Sequence, residues 1–287
     1  MKTLKYYLQK AYKEKWAIGQ FNFSDFSQVK GIVSAAEHLR SPIILGTSEG
    51  ESNFVGLEEA VAMRNVLRKK TGLPIFLNLD HGKSFEVVKK AITAGYDMVH
   101  FDGSKMPLAE NIKISKKVTS FAHWRGIVVE GEVGAFATDS SKKYEGTFEI
   151  KEADLTSAVH AKEYAQKTKV NLLAVNVGTF HGIDSGVTSP SIRLDRLAEI
   201  KTHVNTPLVL HGGSGTPEAD MKEAIRLGMV KVNINTDTRI AFANALRQTL
   251  ETNKEEIVPY EYLPDAVGAV KMVAENKIKL FGSENKV

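Results

Sequence analysis

Pro74-Ile75-Phe76-Leu77-Asn78-Leu79-Asp80-His81-Gly82 is a short apolar run that closes in a polar, chemistry-capable cluster. Two other runs close in the same way, as Thr179-Phe180-His181-Gly182 and Leu210-His211-Gly212-Gly213. Working outward, eight such runs can be placed, near residues 18–22, 42–47, 74–80, 98–102, 127–133, 171–178, 207–211 and 231–235. Most are nearly continuous in apolar character, as expected for parallel strands covered on both faces. Histidines at the C-terminal ends of several strands predict one site at one end of a parallel barrel, because a (β/α)8 barrel carries its chemistry there.

The segments between the runs are amphipathic and have recognisable ends. Ser84 is placed to cap a helix that stops at Gly95, and Thr216-Pro217 to cap and start one that stops at Gly228. Residues 108–125, 153–168 and 193–203 read as further helices, and 261–280 as an extra helix after the eighth unit. Strict alternation of strand and helix predicts an α/β fold, a single TIM barrel forming one domain over residues 1–287. An open doubly wound sheet is the competing arrangement, but no GxGxxG turn follows the first strand. The stretch 133–150 is the one long loop, and a loop of that length in a compact barrel is usually functional.

Composition narrows the function classes. The 287 residues are 43% hydrophobic and 25% charged, enough for a large core and too apolar for disorder. Basic and acidic residues number 38 and 34, giving a net charge of +4 with no basic block, so nucleic acid is not an expected partner. The absence of cysteine leaves His, Asp and Glu as the metal-ligating side chains. No signal-peptide core opens the chain and no run approaches the ~18 apolar residues of a membrane helix, so a soluble cytoplasmic protein without membrane partners is expected.

His81, His181 and His211 come from equivalent strand ends, and three neutral imidazoles with an open fourth position suit a catalytic Zn²⁺. The other five histidines, His38, His100, His123, His160 and His203, are unmarked in position. Asp80 adjoins His81. Neighbours on a regular strand face opposite ways, so both can serve one site only if the strand is already ending there. Asp80 then reads as a general acid or base, or as a partner that orients a histidine. Asp102 and Glu132 end the fourth and fifth runs and read as a second metal position or as structural ion-pair partners. Gly212-Gly213-Ser214-Gly215 and Asn233-Ile234-Asn235-Thr236 follow the seventh and eighth runs, where barrels of this kind bind phosphate through backbone N–H groups and hydroxyls. Thr47-Ser48-Glu49-Gly50 is placed to line the opposite side. Lys231 lies on the eighth run with nothing to mark it as a desolvated, reactive amine.

Read in order, AIGQFN (17–22), SPII (41–44), LDHG (79–82), FDGS (101–104), VEGEVG (129–134), GTFHG (178–182), LHGGSG (210–215) and KVNINTD (231–237) span essentially the whole chain. In this series the chain resembles the class II, metal-dependent ketose-bisphosphate aldolases, the fructose- and tagatose-bisphosphate aldolase family. The resemblance implies zinc on His81, His181 and His211, Asp80 as the proton donor at the cleaved bond, and Asp102 and Glu132 at a second metal position. It implies contacts to dihydroxyacetone phosphate from Gly182, Gly212, Gly213, Ser214, Asn233, Asn235 and Thr236, with Ser48 near the aldehyde half. The implied reaction is reversible cleavage of fructose 1,6-bisphosphate to dihydroxyacetone phosphate and glyceraldehyde 3-phosphate, by a homodimer or homotetramer of glycolysis and gluconeogenesis. Tagatose 1,6-bisphosphate, another phosphorylated ketose, and a catalytically weakened sugar-phosphate binder remain alternatives. The chain departs from the family at Asn78, where a histidine is usual, at Ser140, where a glutamate is usual, and at Ser185, where a lysine is common.

Overall fold

The computed structural model describes residues 2–134, 152–180 and 191–287. Eight parallel strands close into a barrel in sequence order: β1 (Ile18–Asn22), β2 (Ile43–Ser48), β3 (Ile75–Gly82), β4 (Met98–Phe101), β5 (Val128–Val133), β6 (Leu172–Val175), β7 (Leu208–Leu210) and β8 (Met229–Ile234). β8 returns to β1, with Gln20 opposite Asn233 on one side and Ile44 on the other. Helices alternate with the strands, so the predicted (β/α)8 barrel is the observed one. β6 stops short of the 171–178 run because the Asn176 side chain accepts the Gly178 N–H at 2.9 Å and turns the chain.

Local chemistry sets the helix ends. Ser84 accepts the Val87 N–H at the start of the helix Phe85–Ala94, and Gly95 ends it with φ +108°. Thr216 does not cap the next predicted helix. That helix is Glu218–Arg226, entered through Pro217, while the Thr216 hydroxyl turns back to the Gly212 carbonyl at 3.3 Å. The predicted 153–168 helix is divided into a short 3-10 turn, Glu152–Asp154, and the helix Ala158–Thr168. Thr156 lies between them and donates its N–H to the Asn176 carbonyl at 2.9 Å, which draws the segment onto the barrel rim. The C-terminal region is likewise two helices, Pro259–Tyr262 and Pro264–Leu280. Proline lacks the N–H needed inside a helix and suits a first turn, so Pro264 starts the second one.

The barrel has an apolar bottom and a polar top. The helix Leu4–Glu14 closes the bottom by burying Leu4, Tyr7, Leu8 and Ala11 against Ile18, Ile44, Phe76, Met98 and Val128. Each large apolar side chain buried there stabilises the fold by roughly 1.5–3 kcal/mol. Two residues further along the strands, the interior turns polar while staying buried: Gln20, Asn78, His100, Glu130 and Lys231 are all fully enclosed. The outward-facing strand residues, such as Phe21, Leu77, Val99 and Val129, pack under the helices as a second core. Among the described residues, no helix is long and apolar enough to cross a membrane.

Candidate active site at the barrel mouth

A backbone irregularity resolves how neighbours Asp80 and His81 serve one site. β3 and β4 pair in register at Leu79 and Val99 and resume at Gly82 and Phe101, so two residues of β3 oppose the single His100 of β4. His81 takes φ +51°, a left-handed conformation that costs a non-glycine residue roughly 1–2 kcal/mol. The bulge turns both side chains into the mouth, and the His81 backbone N–H donates to His100 Nδ1 at 3.1 Å.

Hydrogen bonding fixes which nitrogens of His81 and His211 face one another. His81 Nδ1 lies 2.9 Å from Asp102 Oδ2, and His211 Nε2 lies 2.7 Å from Glu130 Oε1. A carboxylate only accepts, so each of these nitrogens carries the ring proton. His81 Nε2 and His211 Nδ1 face each other 3.1 Å apart, and in the neutral rings these are the nitrogens that carry lone pairs. Two ligands of one cation at about 2.0–2.1 Å can be separated by this distance, so the donor set fits a divalent metal. Burial opposes ionisation of Asp102, but its bond to His81 and the other imidazoles hold its carboxyl far below the usual range. For His211, burial dominates and lowers its pKa despite Glu130, which keeps the ring neutral for ligation.

Asp80 is gripped by amides. Asn22 Nδ2 donates to its Oδ2 and Asn233 Nδ2 to its Oδ1, each at 3.0 Å. Behind Asn22 stands a relay in which Asn78 Nδ2 donates to Gln20 Oε1 at 2.8 Å and Gln20 Nε2 to Asn22 Oδ1 at 3.0 Å. Asn78, where the chain departs from the family, begins this relay. Gly46 leaves the space for it, because a Cβ there would stand 2.4 Å from Asn22 Oδ1. Burial works against the Asp80 charge, but His81, His100, His211 and Lys231 outweigh it and hold the carboxyl well below its ordinary pKa.

Four residues that the sequence reading passed over stand in this mouth. His100, read as unmarked, is fully buried, and its ring centroid lies 4.7 Å from His81 and 4.8 Å from His211. Lys231, read as unremarkable, is fully buried beside Glu130 Oε2 at 2.9 Å and donates to Asn233 Oδ1 at 2.5 Å. Glu130 so joins His211 to Lys231. Glu51 accepts from Asn22 Nδ2 at 2.9 Å and from the Ser48 N–H at 2.7 Å, and burial raises its pKa against those bonds. Three of the four were marked by strand parity: His100, Glu130 and Lys231 lie two residues before Asp102, Glu132 and Asn233 and share their face.

The remaining expected residues fall around this core. Glu132 is buried, with Oε2 3.8 Å from His81 Nδ1 and 3.1 Å from His100 Nε2. Two groups among the described residues bring their ligand atoms together within 4.8 Å: Asp80, His81, His100 and His211, and His81, Asp102 and Glu132. Ser48 caps the helix Glu49–Val55, with its side chain accepting the Glu51 N–H. Ser214 Oγ accepts the Asp237 N–H at 3.3 Å, joining the loop after β7 to the helix Thr236–Thr252. That helix has no side-chain cap at Asn235, whose Oδ1 is buried without a hydrogen-bond partner. Gly212 has φ +65°, and a Cβ there would approach the Phe180 carbonyl to 2.4 Å. His181 and Gly182, with Asp139, Ser140, Glu145 and Ser185, lie outside the described residues.

Comparison with known proteins gives a consistent set of relatives. A family model described as fructose-bisphosphate aldolase class-II matches residues 2–286. The chain is 38% identical over 282 residues to the 6-phospho-5-dehydro-2-deoxy-D-gluconate aldolase of Shouchella clausii, covering 97% of this chain and 94% of that protein. It is 36% identical over 283 residues to the sulfofructosephosphate aldolase of Alkalicoccus urumqiensis, covering 97% and 96%. It is 37% identical over 279 residues to a probable fructose-bisphosphate aldolase of Bacillus subtilis, covering 96% and 95%. Among solved structures, the YdjI aldolase of Escherichia coli K12 superposes with a TM-score of 0.83 at 29% identity, covering 100% of this chain and 99% of that one.

Proposed function

Because the chain belongs to the class II fructose-bisphosphate aldolase family, we propose that its barrel mouth cleaves a phosphorylated ketose between C3 and C4, with fructose 1,6-bisphosphate as the first candidate substrate. The products are dihydroxyacetone phosphate and an aldehyde. The observation that carries this reading is Asp80, clamped by two amides, beside two imidazoles whose Nε2 and Nδ1 face each other at 3.1 Å. The reading extends to a homo-oligomeric enzyme of sugar metabolism with one domain over residues 1–287, for which family resemblance is the support.

His81 and His211 would hold the metal, proposed as zinc, with His181 as a third ligand and Asp102 and Glu132 flanking a second position. When bound, a metal of this kind polarises the ketose oxygens as a Lewis acid. Asp80, ionised at rest, accepts the C4 hydroxyl proton as the C3–C4 bond breaks, and the bonding pair passes to the ketose half. Asn22 and Asn233 hold both Asp80 oxygens, so the carboxylate does not reorganise as it takes the proton. In condensation the same proton returns to the aldehyde oxygen. Lys231 sits in an ion pair with Glu130, which keeps it from acting as the amine nucleophile of a Schiff-base aldolase.

The phosphate falls to Gly212, Gly213 and Ser214 after β7 and to Asn233, Asn235 and Thr236 after β8. The start of the helix Thr236–Thr252, which receives no side-chain cap from Asn235, favours an anion there. The named relatives share a phosphate and a keto group in their substrates' names and differ elsewhere, so the aldehyde half, near Ser48 and Glu51, is where substrates are told apart. The test is cleavage of fructose and tagatose 1,6-bisphosphates side by side, with added Zn²⁺ and after chelation. Chelator-sensitive cleavage supports the reading, and the rate ratio ranks the two substrates. Zinc-bound protein that cleaves neither moves the weight to another phosphorylated ketose or to a binding role.

A further inference from the structure

The chemistry above uses Asp80 and the two amides that clamp it, and gives no task to the lysine that adjoins one of them. Lys231 is fully enclosed, two residues before Asn233 on β8 and on the same face of the strand. Burying an ammonium costs free energy that an apolar side chain in its place would not, so its partners matter. Nζ pairs with Glu130 Oε2 at 2.9 Å and donates to Asn233 Oδ1 at 2.5 Å. Asn233 in turn donates from Nδ2 to Asp80 Oδ1 at 3.0 Å. An ammonium only donates and a carboxylate only accepts, so the two ends of this amide are told apart, oxygen toward Lys231 and nitrogen toward Asp80. The torsion that turns an asparagine amide is broad and roughly two-fold. A bond at one end leaves the group free to pivot, whereas a bond at each end fixes its plane. The amide on the other side of Asp80 is held at both ends too: Gln20 Nε2 donates to Asn22 Oδ1, and Asn22 Nδ2 to Asp80 Oδ2, each at 3.0 Å.

We propose that Lys231 is a positioning residue that acts through Asn233: its Nζ locks the Asn233 amide with the NH2 group on Asp80, and so fixes how the Asp80 carboxylate is held. This inference rests on the reading above that gives Asp80 the proton transfer. Glu130 anchors the ammonium, and Asn233 carries its effect to Asp80. Lys231 thereby serves the reaction through its donors, without forming a bond to substrate.

The amide itself reports the lock, independent of any activity. In protein labelled with ¹⁵N at asparagine, the side-chain NH2 signal of Asn233 is assigned by its loss in Asn233→Ala. The expected signal exchanges slowly with solvent in the parent protein and faster, at a shifted position, in Lys231→Met. An Asn233 signal unchanged in Lys231→Met overturns the proposal. Kinetics supply the second readout. Lys231→Met is expected to lower kcat by about 10²-fold, the scale of a small misplacement of a positioned group, with KM little changed. A loss confined to KM overturns the positioning role. Because Lys231 acts through Asn233, its removal should add little to the loss already caused by Asn233→Ala, and a double variant whose losses multiply also overturns it. If Lys231→Met does not fold, Lys231→Met combined with Glu130→Gln leaves no orphaned charge and carries the same expectation for the Asn233 signal. If no ketose bisphosphate is cleaved, the kinetic arm falls with the proposed function, and the amide signal still decides the role of Lys231.

Discussion

At the scale of single residues, the site separates proton handling from ligation. Asp80 receives two amide N–H bonds and its own ionic surroundings, whereas His211 is tied through Glu130 to Lys231. Asp80→Ala is therefore expected to keep its metal and lose about 10²–10⁴-fold in kcat, the range for a missing general base. His211→Ala is expected to lose both metal and turnover. Metal analysis beside steady-state kinetics checks the pair, and a fully active Asp80→Ala enzyme would remove the role given to that carboxylate. The side chains Asp80, His81 and His211 were legible as strand-end residues. His100 was not, because a histidine one position inside a strand end looks like any core histidine until its parity with Asp102 is noticed.

At the scale of elements, β3 carries much of the organisation. Its bulge aims Asp80 and His81 together, and its start is held from outside by Asp97. Asp97 accepts the Leu77 N–H at 2.9 Å, pairs with Arg68 at 2.9 Å and contacts the buried Arg64. Arg64 is 4% exposed, so removing its partner strands a guanidinium in a dry environment. Asp97→Ala is expected to cost about 3–5 kcal/mol, the usual penalty for breaking a buried pair from one side. Urea unfolding measures this directly, and a loss below about 1 kcal/mol would place the pair among solvent-screened surface ion pairs. Strand existence and order were readable because apolar runs ended by Gly and polar clusters are distinctive. The division of 153–168 was not, since it is set by a bond to a residue distant in sequence, Thr156 to Asn176. Nor were the early end of β6 and the displaced start of Glu218–Arg226, which depend on which backbone group the Asn176 and Thr216 side chains take as partner.

At the scale of the whole molecule, the C-terminal helix Pro264–Leu280 is part of the barrel wall. Val270, Ala274 and Ile278 are buried, and the Phe281 carbonyl accepts the Ala17 N–H at 3.0 Å just before β1. Its approach to the helix Phe26–Leu39 is close, with a Cβ on Gly31 falling 2.6 Å from the Val267 carbonyl. Truncation before Pro264 would uncover this seam beside the first strand. It is expected to yield aggregated or unfolded chain, and a truncated protein melting cooperatively at the parent temperature in a thermal scan would contradict that. The periodicity of the sequence by itself determined the barrel, its strand order and the end at which chemistry gathers, because apolar runs, turn glycines and helix caps act over a few residues. Only the tertiary structure decided that the upper interior is polar and which buried groups pair there, since Asn78 with Gln20, His211 with Glu130 and Lys231 with Asn233 meet only once the barrel closes. A buried polar group must find a partner to offset its lost hydration, and that partner is chosen by proximity in space.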